Sequence, residues 1–544
     1  MKKTFSVWTV VAMVVVGVIV GFEGKALVSA DNIYEQLNKF KDILVLADKY
    51  YVDTVDTRKL TEGAITGLLE QLDPHSVYFP PRIFQRATED MQGNYQGVGL
   101  MIRALNDTII VIEPMGGSPA TMLGILSNDR IVRINDTTAI GFTADQASQR
   151  LRGPKGTKVK VTIARPSVGE LLVYEITRAE IAITSIDVAM MVNEEAGYVS
   201  VNKFGMKTGQ ELTRALQSLR EQGMKRLILD LRNNPGGILD EAVRMADLFL
   251  DGGTKDKPKK IVYTKARSAE LEESYVANSG DPYEKLPLIV LIGNASASAS
   301  EIVAGAIQDW DRGLIVGETS FGKGLVQRQW TFNDGSGLRM TIARYYTPSG
   351  RLIQRSYEGK AKGQYQLEAF QREEQEGENL EHRKDAKARA DSLGLVYHTN
   401  GGRAVYGGGG ITPDYIVKPP SLSKSTENLY RRDMFYQFIT AYLDGEGQKL
   451  RLAFSADRKS FVRSYAVTDQ ILDNFQTFTK TKGVSVEEKE FQQDVAYIKA
   501  RLKAEIARAL WGNDGWYPVM LEVDPQFQKA VSLLPEAVKI AKLN

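Results

Sequence analysis

Three short, uninterrupted apolar runs constrain the fold of this chain most strongly. They occupy residues 227–231, 288–292 and 314–316, and they alternate with segments at 238–250 and 300–310 that have helical character. Runs of this length without polar alternation are typical of strands that are covered on both faces of a sheet. The region from about 188 to 347 is therefore predicted to be α/β.

A cluster of small residues at 293–300 follows the second run and contains Ser296, Ser298 and Ser300. We expect a helix to begin near Ser300, so that its N-terminal amides and the positive end of its dipole face this turn. A serine hydroxyl there can attack a carbonyl group, and the amide of Ala299 can help to hold the resulting oxyanion. The simpler interpretation is that these serines are helix caps and turn residues.

Lys323 lies soon afterwards on a turn that is flanked by glycines. A lysine acts as a general base only when its amine is neutral, so its usual pKa of ~10.4 would have to fall by roughly 3 units, at a cost of about 4 kcal/mol. Gln327 could orient the amine through its amide oxygen without adding a charge that would keep it protonated. The apolar residues that could surround the amine are Phe321, Leu325 and Val326.

Two glycine-containing turns allow more than one interpretation. Residues 317–323 match the start of a phosphate-binding loop, but Gly324 stands where a magnesium-binding Ser or Thr is required, and a strand-like segment follows where a helix should begin. Residues 233–237 read Asn-Asn-Pro-Gly-Gly. Gly236 or Gly237 could provide a second oxyanion donor there, although the segment could also be a simple turn.

The composition excludes several classes of protein. The 544 residues include no cysteine, which removes thiol catalysis, thiolate metal sites and disulfides. Only His75, His382 and His398 could serve a Ser-His-Asp triad, and this scarcity favours a different base. The net charge is +2, so nothing favours a nucleic-acid partner.

The N-terminus has the pattern of a targeting segment. Lys2 and Lys3 precede an uncharged, mostly apolar run at 4–22, and residues 28–30 are small residues that a signal peptidase accepts. The run approaches the length of about 18 residues that a bilayer span requires. The segment is therefore expected either to be removed after Ala30 or to remain as an anchor, which is slightly favoured. Most of the chain should be exported, to the periplasm or another extracytoplasmic space.

Six motifs in order make the chain resemble the carboxyl-terminal processing, or tail-specific, serine proteases of bacteria and chloroplasts. The motifs are residues 72–78, 97–100, 229–237, 296–309, 317–327 and 347–350. The resemblance covers about residues 31–417. It implies that Ser298 is the nucleophile, Lys323 the base and Gln327 the third member of the triad. It also implies that Ala299 and either Gly236 or Gly237 donate to the oxyanion.

The resemblance further implies that residues 94–183 form a PDZ domain. A glycine-rich loop with free amides can capture a terminal carboxylate, and a strand edge can add the peptide as a further strand. The residues expected to bind substrate in this way are Gly97, Val98, Gly99 and Leu100. Arg152 lies in the family's Leu-Arg-Gly segment and is expected to pair with a substrate carboxylate or to stabilise the active arrangement, unless it is a solvated loop arginine. Asn128 stands where the family commonly has glycine, and asparagine tolerates a left-handed turn.

The predicted fold class is a multidomain α/β protein. The family resemblance implies that its core is an α/β spiral like that of crotonase and Clp protease, with an inserted PDZ domain and helical N- and C-terminal regions. The predicted segments are a signal peptide or membrane anchor at 1–30, a helical arm at 31–90, the PDZ domain at 91–185, the protease core at 186–356, a solvated, charged insertion at 357–400, a returning core strand at 401–420 and a helical region at 421–544. The last region and the insertion lie outside the shared family core, so no function is transferred to them.

The predicted function is that of a serine endopeptidase that cleaves proteins recognised by apolar C-terminal tails through the PDZ domain. No metal, nucleotide or other cofactor is expected. The expected partners are protein or peptide C-termini, and membrane association through residues 4–22 and homo-oligomerisation are further options. The alternative is a non-catalytic, PDZ-bearing scaffold that only binds peptides.

Overall fold

The structure is a computed structural model that describes residues 32–166, 168–372, 394–445, 447–454 and 457–542. The predicted targeting segment at 1–30 lies outside the described residues, as do positions 373–393 of the charged insertion. Within the described ranges, no helix combines the length and the apolar character that a bilayer span requires.

Two helices form the N-terminal arm. Helix α1 spans Ile33–Tyr50 and α2 spans Thr57–Glu70, and the side chains of Asn32 and Asp56 cap their N-termini. Helix α1 buries none of its own residues, although apolar residues recur along it at helical spacing. The short strand β1 (Val77–Phe79) and helix α3 (Pro81–Gln92) then lead into the next domain.

An antiparallel domain follows the arm. Its elements are β2 (Asn94–Gly97), β3 (Leu100–Leu105), β4 (Thr108–Pro114), α4 (Pro119–Met122), β5 (Arg130–Ile134), β6 (Thr137–Thr138), α5 (Ala144–Leu151), β7 (Lys158–Ala164), β8 (Leu171–Thr177) and β9 (Ala179–Ala182). The main sheet has the order β3-β4-β5-β7-β8, while β2 pairs with β9. Strand β3 therefore lies at the edge of its sheet. Alternating apolar residues of these strands form a separate core.

The α/β region contains a six-stranded sheet and a second sheet beside it. Its elements are β10 (Ile186–Met191), β11 (Ala196–Val201), α6 (Thr208–Glu221), β12 (Arg226–Asp230), α7 (Leu239–Asp247), β13 (Gly253–Thr254), β14 (Lys257–Pro258), β15 (Lys260–Ala266), β16 (Ser274–Val276), β17 (Leu288–Ile292), α8 (Ala299–Asp309), β18 (Leu314–Gly317), β19 (Leu325–Thr331), β20 (Gly337–Tyr346), α9 (Lys362–Phe370), β21 (Val396–His398), β22 (Ala404–Tyr406) and β23 (Tyr415–Ile416). The order β10-β11-β12-β17-β18-β23 is parallel from β11 onward. The second sheet has the order β1-β20-β15-β16, with β19 paired to β20.

This arrangement confirms the apolar runs as fully buried strands at the centre of the sheet. Strand β17 has the predicted bounds, and α8 begins one residue before the predicted start. Both faces of β12, β17 and β18 are covered, by helices α6 to α8 on one face and by a C-terminal helix on the other. Parallel strands need such double cover, which explains why their sequences carry no polar alternation.

The C-terminal region is helical and contacts two other parts of the molecule. Its helices are α10 (Lys424–Arg431), α11 (Met434–Asp444), α12 (Gln448–Phe454), α13 (Arg458–Ser464), α14 (Asp469–Thr481), α15 (Glu488–Gln493), α16 (Val495–Trp511), α17 (Asn513–Met520) and α18 (Pro525–Ile540). Helix α18 packs on the central sheet. Helix α11 reaches the antiparallel domain, where Asp433 pairs with Arg103 and Asp444 pairs with Arg130.

The expectation of a solvated insertion is wrong for helix α9. Tyr365 of this helix has none of its surface exposed, and Ala369 is also buried. The composition of the insertion is dominated by charge, and this pattern concealed the few side chains that pack inward.

Candidate active site

The turn between β17 and α8 presents Ser298. This residue has φ +53° and ψ −110°, an unusual backbone conformation for a residue other than glycine. The hydroxyls of its two neighbours are used structurally, because Ser296 donates to the carbonyl oxygen of Leu231 at 2.7 Å and Ser300 donates to that of Asn234 at 2.8 Å. The simpler interpretation of the serine cluster therefore holds for Ser296 and Ser300, and Ser298 remains as the candidate nucleophile.

The glycine turn after β12 lies directly against this serine. A Cβ atom on Gly236 would lie 2.8 Å from Cβ of Ser298 and 2.9 Å from the amide nitrogen of Ala299, so only glycine fits there. The Gly236 amide donates to Oδ1 of Asn234 at 2.9 Å. Gly237, with φ +151°, lies against the carbonyl oxygen of Phe204. Ala299 is the first residue of α8, where an amide has no acceptor within the helix.

Lys323 and Gln327 are joined by a hydrogen bond. Nζ of Lys323 donates to Oε1 of Gln327 at 2.8 Å, and Nε2 of Gln327 donates to the main-chain carbonyl oxygen of His75 at 2.7 Å. Burial, and to a smaller degree the positive charge of Arg339, lowers the pKa of Lys323 to about 8, while the negative charges of Glu301 and Asp73 partly oppose this shift. An amine with this pKa is partly neutral near neutral pH, as a general base requires.

The amine of Lys323 points to Gln327 in this arrangement. Among the hydrogen bonds of the described residues, the one made by this amine goes to Gln327 and not to the hydroxyl of Ser298. A hydrogen bond between the two groups would have to form if Lys323 is to take a proton from Ser298. Active-site hydrogen bonds are often incomplete before substrate binds.

A buried carboxylate that the sequence interpretation missed connects the two candidate residues. Glu301 accepts hydrogen bonds from the amides of Ser298 at 2.8 Å, Gly322 at 2.6 Å and Lys323 at 2.9 Å, and also from the hydroxyl of Ser320. Burial raises the pKa of Glu301, while these donors oppose the shift. The spacing Ser298-x-x-Glu301 is that of a helix capping box, so a signal for this residue was present in the sequence.

Tyr345 forms a second connection between the same two turns. Its buried hydroxyl lies 3.1 Å from the carbonyl oxygen of Ser298 and 2.8 Å from that of Lys323. No local pattern could indicate this role, because the tyrosine lies on β20, far along the chain from both partners.

The candidate peptide-binding loop lies at the start of edge strand β3. The carbonyl oxygens of Val98 and Gly99 accept hydrogen bonds from the amides of Ala120 and Met115, at 3.1 and 2.9 Å. Gly99 has φ +80°, and a Cβ atom there would lie 2.1 Å from Cβ of Ser118. Gly97 ends β2, and Leu100 begins β3. The four predicted residues are therefore contiguous with an edge that can accept another strand.

Arg152 is not a freely solvated loop arginine. Its guanidinium group pairs with the carboxylate of Glu89 on α3 and stacks 4.3 Å from the ring centroid of Tyr95. The ion pair joins the antiparallel domain to helix α3.

Models of four known families match separate parts of the chain. A model of peptidase family S41 matches residues 195–359, a PDZ-domain model matches 87–164, a model of the N-terminal domain of the activating protease CtpB matches 22–81, and a family of unknown function matches 426–512. The chain is 38% identical over 327 residues to a carboxy-terminal-processing protease of Bartonella bacilliformis, a match that covers 59% of this chain and 74% of that protein.

Two further similarities cover a comparable part of the chain. A probable CtpA-like serine protease of Staphylococcus aureus is 34% identical over 319 residues, and the match covers 58% of this chain and 62% of that protein. The solved structure of a photosystem II D1 C-terminal processing protease is 30% identical, with a TM-score of 0.32, and it covers 57% of this chain and 82% of its own. On the family models and the identity to the Bartonella protein, this multidomain α/β chain belongs to peptidase family S41, the serine-type carboxy-terminal-processing peptidases, and it carries a PDZ domain.

Proposed function

We propose that this protein is a serine endopeptidase in which Ser298 is the nucleophile, Lys323 is the general base and Gln327 orients that base. The observation that carries the proposal is a partly buried lysine amine, with its pKa lowered to about 8, that is hydrogen-bonded to an uncharged amide. A carboxylate in place of Gln327 would hold the proton on the lysine, whereas an amide oxygen orients the amine without adding a full charge.

The reaction follows from these positions. The neutral amine of Lys323 takes the proton of the Ser298 hydroxyl, and the serine oxygen attacks the scissile carbonyl carbon. The oxyanion that forms receives the amide of Ala299 and an amide of the Gly236–Gly237 turn. The lysine ammonium then gives its proton to the departing amine, which leaves an acyl-enzyme. Water attacks this ester with the same lysine as base and releases the second product.

Glu301 and Tyr345 act on the framework of this site. The carboxylate of Glu301 accepts hydrogen bonds from the main-chain amides of both Ser298 and Lys323. The hydroxyl of Tyr345 is within hydrogen-bond distance of the carbonyl oxygens of the same two residues. Two turns that are separate in sequence are thereby kept at a fixed separation. Such fixed positions matter because a displacement of about 1 Å can reduce the rate by about 100-fold.

The substrates that fit this arrangement are protein C-terminal tails. A tail can add to the free edge of β3, between that strand and α5, while its terminal carboxylate meets the loop of Gly97, Val98, Gly99 and Leu100. For Arg152 we favour stabilisation of the active arrangement over contact with substrate, because its guanidinium group is already paired with Glu89.

The finer architecture is also part of this proposal. The parallel order from β11 to β23, with helices on both faces, supports an α/β spiral of the crotonase and Clp protease type. The boundaries at 31–90, 91–185, 186–356, 357–400, 401–420 and 421–544 are retained as the proposed domain division. Residues 4–22 are proposed to direct export to an extracytoplasmic space and to associate with the membrane, which cell fractionation and N-terminal sequencing would test.

We propose that the arm mediates homo-oligomerisation. Its apolar residues follow a heptad spacing along α1 and Tyr51: Ile33, Leu37, Phe40, Leu44, Ala47 and Tyr51. Of this stripe, Ile33, Leu37, Phe40 and Tyr51 are exposed, while Leu44 and Ala47 are half-buried. The charged residues of helix α1 are of both signs, which favours another protein over an anionic membrane. Sedimentation of wild type and Leu37→Glu would test this: an unchanged assembly state would contradict it.

The decisive experiment is cleavage of an unstructured protein with an apolar C-terminal tail. Wild type should cleave it, and Ser298→Ala should not. Ser300→Ala is the matched control, because it removes a neighbouring hydroxyl that only bonds to the main chain, and it should retain activity. Equal slow turnover by wild type and Ser298→Ala would remove the enzyme interpretation and favour the peptide-binding scaffold.

A further inference from the structure

A fully buried tyrosine of the charged insertion contacts the support of the active site. Tyr365 lies on α9, outside the six motifs that carry the family resemblance. Its hydroxyl lies 3.0 Å from Nε2 of His75 and 3.0 Å from Nε2 of Gln354. Nothing in the reaction described above uses this side chain.

The Tyr365 hydroxyl is linked to the proposed base by hydrogen bonds that pass through His75 and Gln327. The main-chain carbonyl oxygen of His75 accepts a hydrogen bond from Nε2 of Gln327 at 2.7 Å, and Oε1 of Gln327 accepts one from Nζ of Lys323 at 2.8 Å. On the other side of the turn, the amide of His75 donates to Oδ1 of Asp73 at 2.8 Å. The histidine is thus held through its main chain by Asp73 and through its ring by Tyr365.

The direction of these hydrogen bonds follows from the chemistry of the groups. The amide nitrogen of Gln354 can only donate, so it occupies a lone pair of the Tyr365 oxygen and leaves the phenolic proton for His75. Nε2 of His75 can accept the hydrogen bond from this hydroxyl when the ring is neutral and carries its proton on Nδ1. Burial, together with the positive charge of Lys323, lowers the pKa of His75 to about 4. The charged groups that face this ring are Lys323, Asp73, Lys362 and Arg355.

The insertion is fastened to the turn that carries the lysine. The guanidinium group of Arg372 donates to the carbonyl oxygens of Ser320 at 2.9 Å, Phe321 at 3.0 Å and Gly409 at 2.9 Å. The ring of Tyr365 meets that of Phe321 edge to face, with centroids 5.8 Å apart. The position of α9 relative to Lys323 is therefore set by several independent contacts.

We propose that Tyr365 is a positioning residue of this peptidase. Its hydroxyl fixes the ring of His75, the main-chain carbonyl of that residue fixes Gln327, and Gln327 fixes the amine of Lys323. The insertion would then contribute to catalysis by helping to position the amine of Lys323. This inference rests on the proposed function, because it assigns Gln327 the orienting role.

A double-mutant cycle on the full-length protein tests this route. Tyr365→Phe removes only the hydroxyl, and kcat should fall roughly 5- to 10-fold, about the value of one hydrogen bond, with KM unchanged. Gln327→Ala should lower kcat by about 100-fold. If Tyr365 acts through Gln327, adding Tyr365→Phe to Gln327→Ala should lower kcat by roughly 2-fold or less.

Tyr357→Phe is the matched control. Its ring packs edge to face against Tyr365, with centroids 6.1 Å apart, but its hydroxyl makes no hydrogen bond among the described residues. Tyr357→Phe should leave kcat unchanged both in the wild-type protein and in Gln327→Ala. A second variant, His75→Ala, keeps the carbonyl group that Gln327 needs and removes the ring that Tyr365 holds. It should reproduce the loss in kcat and should not add to that of Tyr365→Phe.

The outcomes separate the two proposals. A silent Tyr365→Phe, or an equal loss in both backgrounds, would overturn the positioning role while leaving the triad intact. Full activity of Gln327→Ala would overturn both. If Tyr365→Phe lowers the midpoint of thermal unfolding so far that rates cannot be compared, His75→Ala decides: a wild-type kcat for that variant would overturn the positioning role.

Discussion

The pH dependence of peptide cleavage tests the central physical requirement of this site, namely that the amine of Lys323 can lose its proton. Burial and the charge of Arg339 lower the pKa of this amine from 10.5 to about 8. Activity should therefore rise with pH, because only the neutral amine can accept the serine proton. The rise in kcat/KM should have unit slope and a midpoint near pH 8.

The size of the effect follows from this shift. At pH 7, about a tenth of the lysine is neutral with a pKa near 8, compared with roughly one part in 3,000 for an ordinary lysine. The shift corresponds to at most about 3 kcal/mol that the folded state loses by holding the amine away from water. Because the pKa of Lys323 is lower in the folded state than in the unfolded state, the folded state is destabilised by this full amount below pH ~8. The destabilisation disappears as the pH rises towards the pKa of an ordinary lysine.

The assay is the measurement of kcat/KM for a tailed substrate between about pH 6 and 10, with Lys323→Arg as the inactive control, since a guanidinium group does not deprotonate in this range. Chemical denaturation of Lys323→Met supplies an independent readout. Its stability relative to wild type should be greater at pH 7 than at pH 10. The reasoning would be refuted if the midpoint of the kcat/KM profile lay near the pKa of an ordinary lysine, or if kcat/KM were independent of pH down to pH 6.

Three further substitutions test the framework of the site and of the domains. Glu301→Gln should lower kcat roughly 100-fold in steady-state kinetics. The NH₂ group of the new glutamine would face main-chain N–H groups, which are also donors, so the serine and lysine turns would shift relative to each other. Asp309→Asn should lower the free energy of unfolding by about 3–5 kcal/mol in a denaturant titration, because Arg351 is fully buried and would lose its carboxylate. Asp444→Ala should leave the chemistry intact but make the PDZ domain more sensitive to limited proteolysis, because Arg130 loses its partner on α11.

Two of these predictions have a control in the same chain. Glu175→Gln removes one partner of an exposed ion pair and should change stability by less than about 1 kcal/mol, in contrast to Asp309→Asn. Asp469→Ala breaks an exposed pair within the C-terminal helices and should leave proteolysis of the PDZ domain unchanged. A wild-type kcat for Glu301→Gln would show that the buried carboxylate does not fix the relative positions of the turns that carry Ser298 and Lys323.

Local patterns in the sequence determine much of this fold and of its candidate chemistry. The buried strands appear as short apolar runs, because a strand covered on both faces has no polar side. The position of Ser298 at the start of a helix follows from the strand, the small residues and the helical periodicity that succeed one another there. The left-handed conformation of Asn128, with φ +75°, was also predictable from its residue type.

The tertiary structure alone decides which distant residues meet. It places Glu301 and Tyr345 between the serine and lysine turns. It also brings Nδ2 of the Asn128 side chain within 3.3 Å of the carbonyl oxygen of Thr440 on α11, to which it donates. It also buries Tyr365 within a segment whose composition indicates exposure to water. Periodicity reports only which face of an element is apolar. The partner of a buried polar group is chosen when the chain folds, because the group must find a donor or acceptor wherever packing brings one within reach.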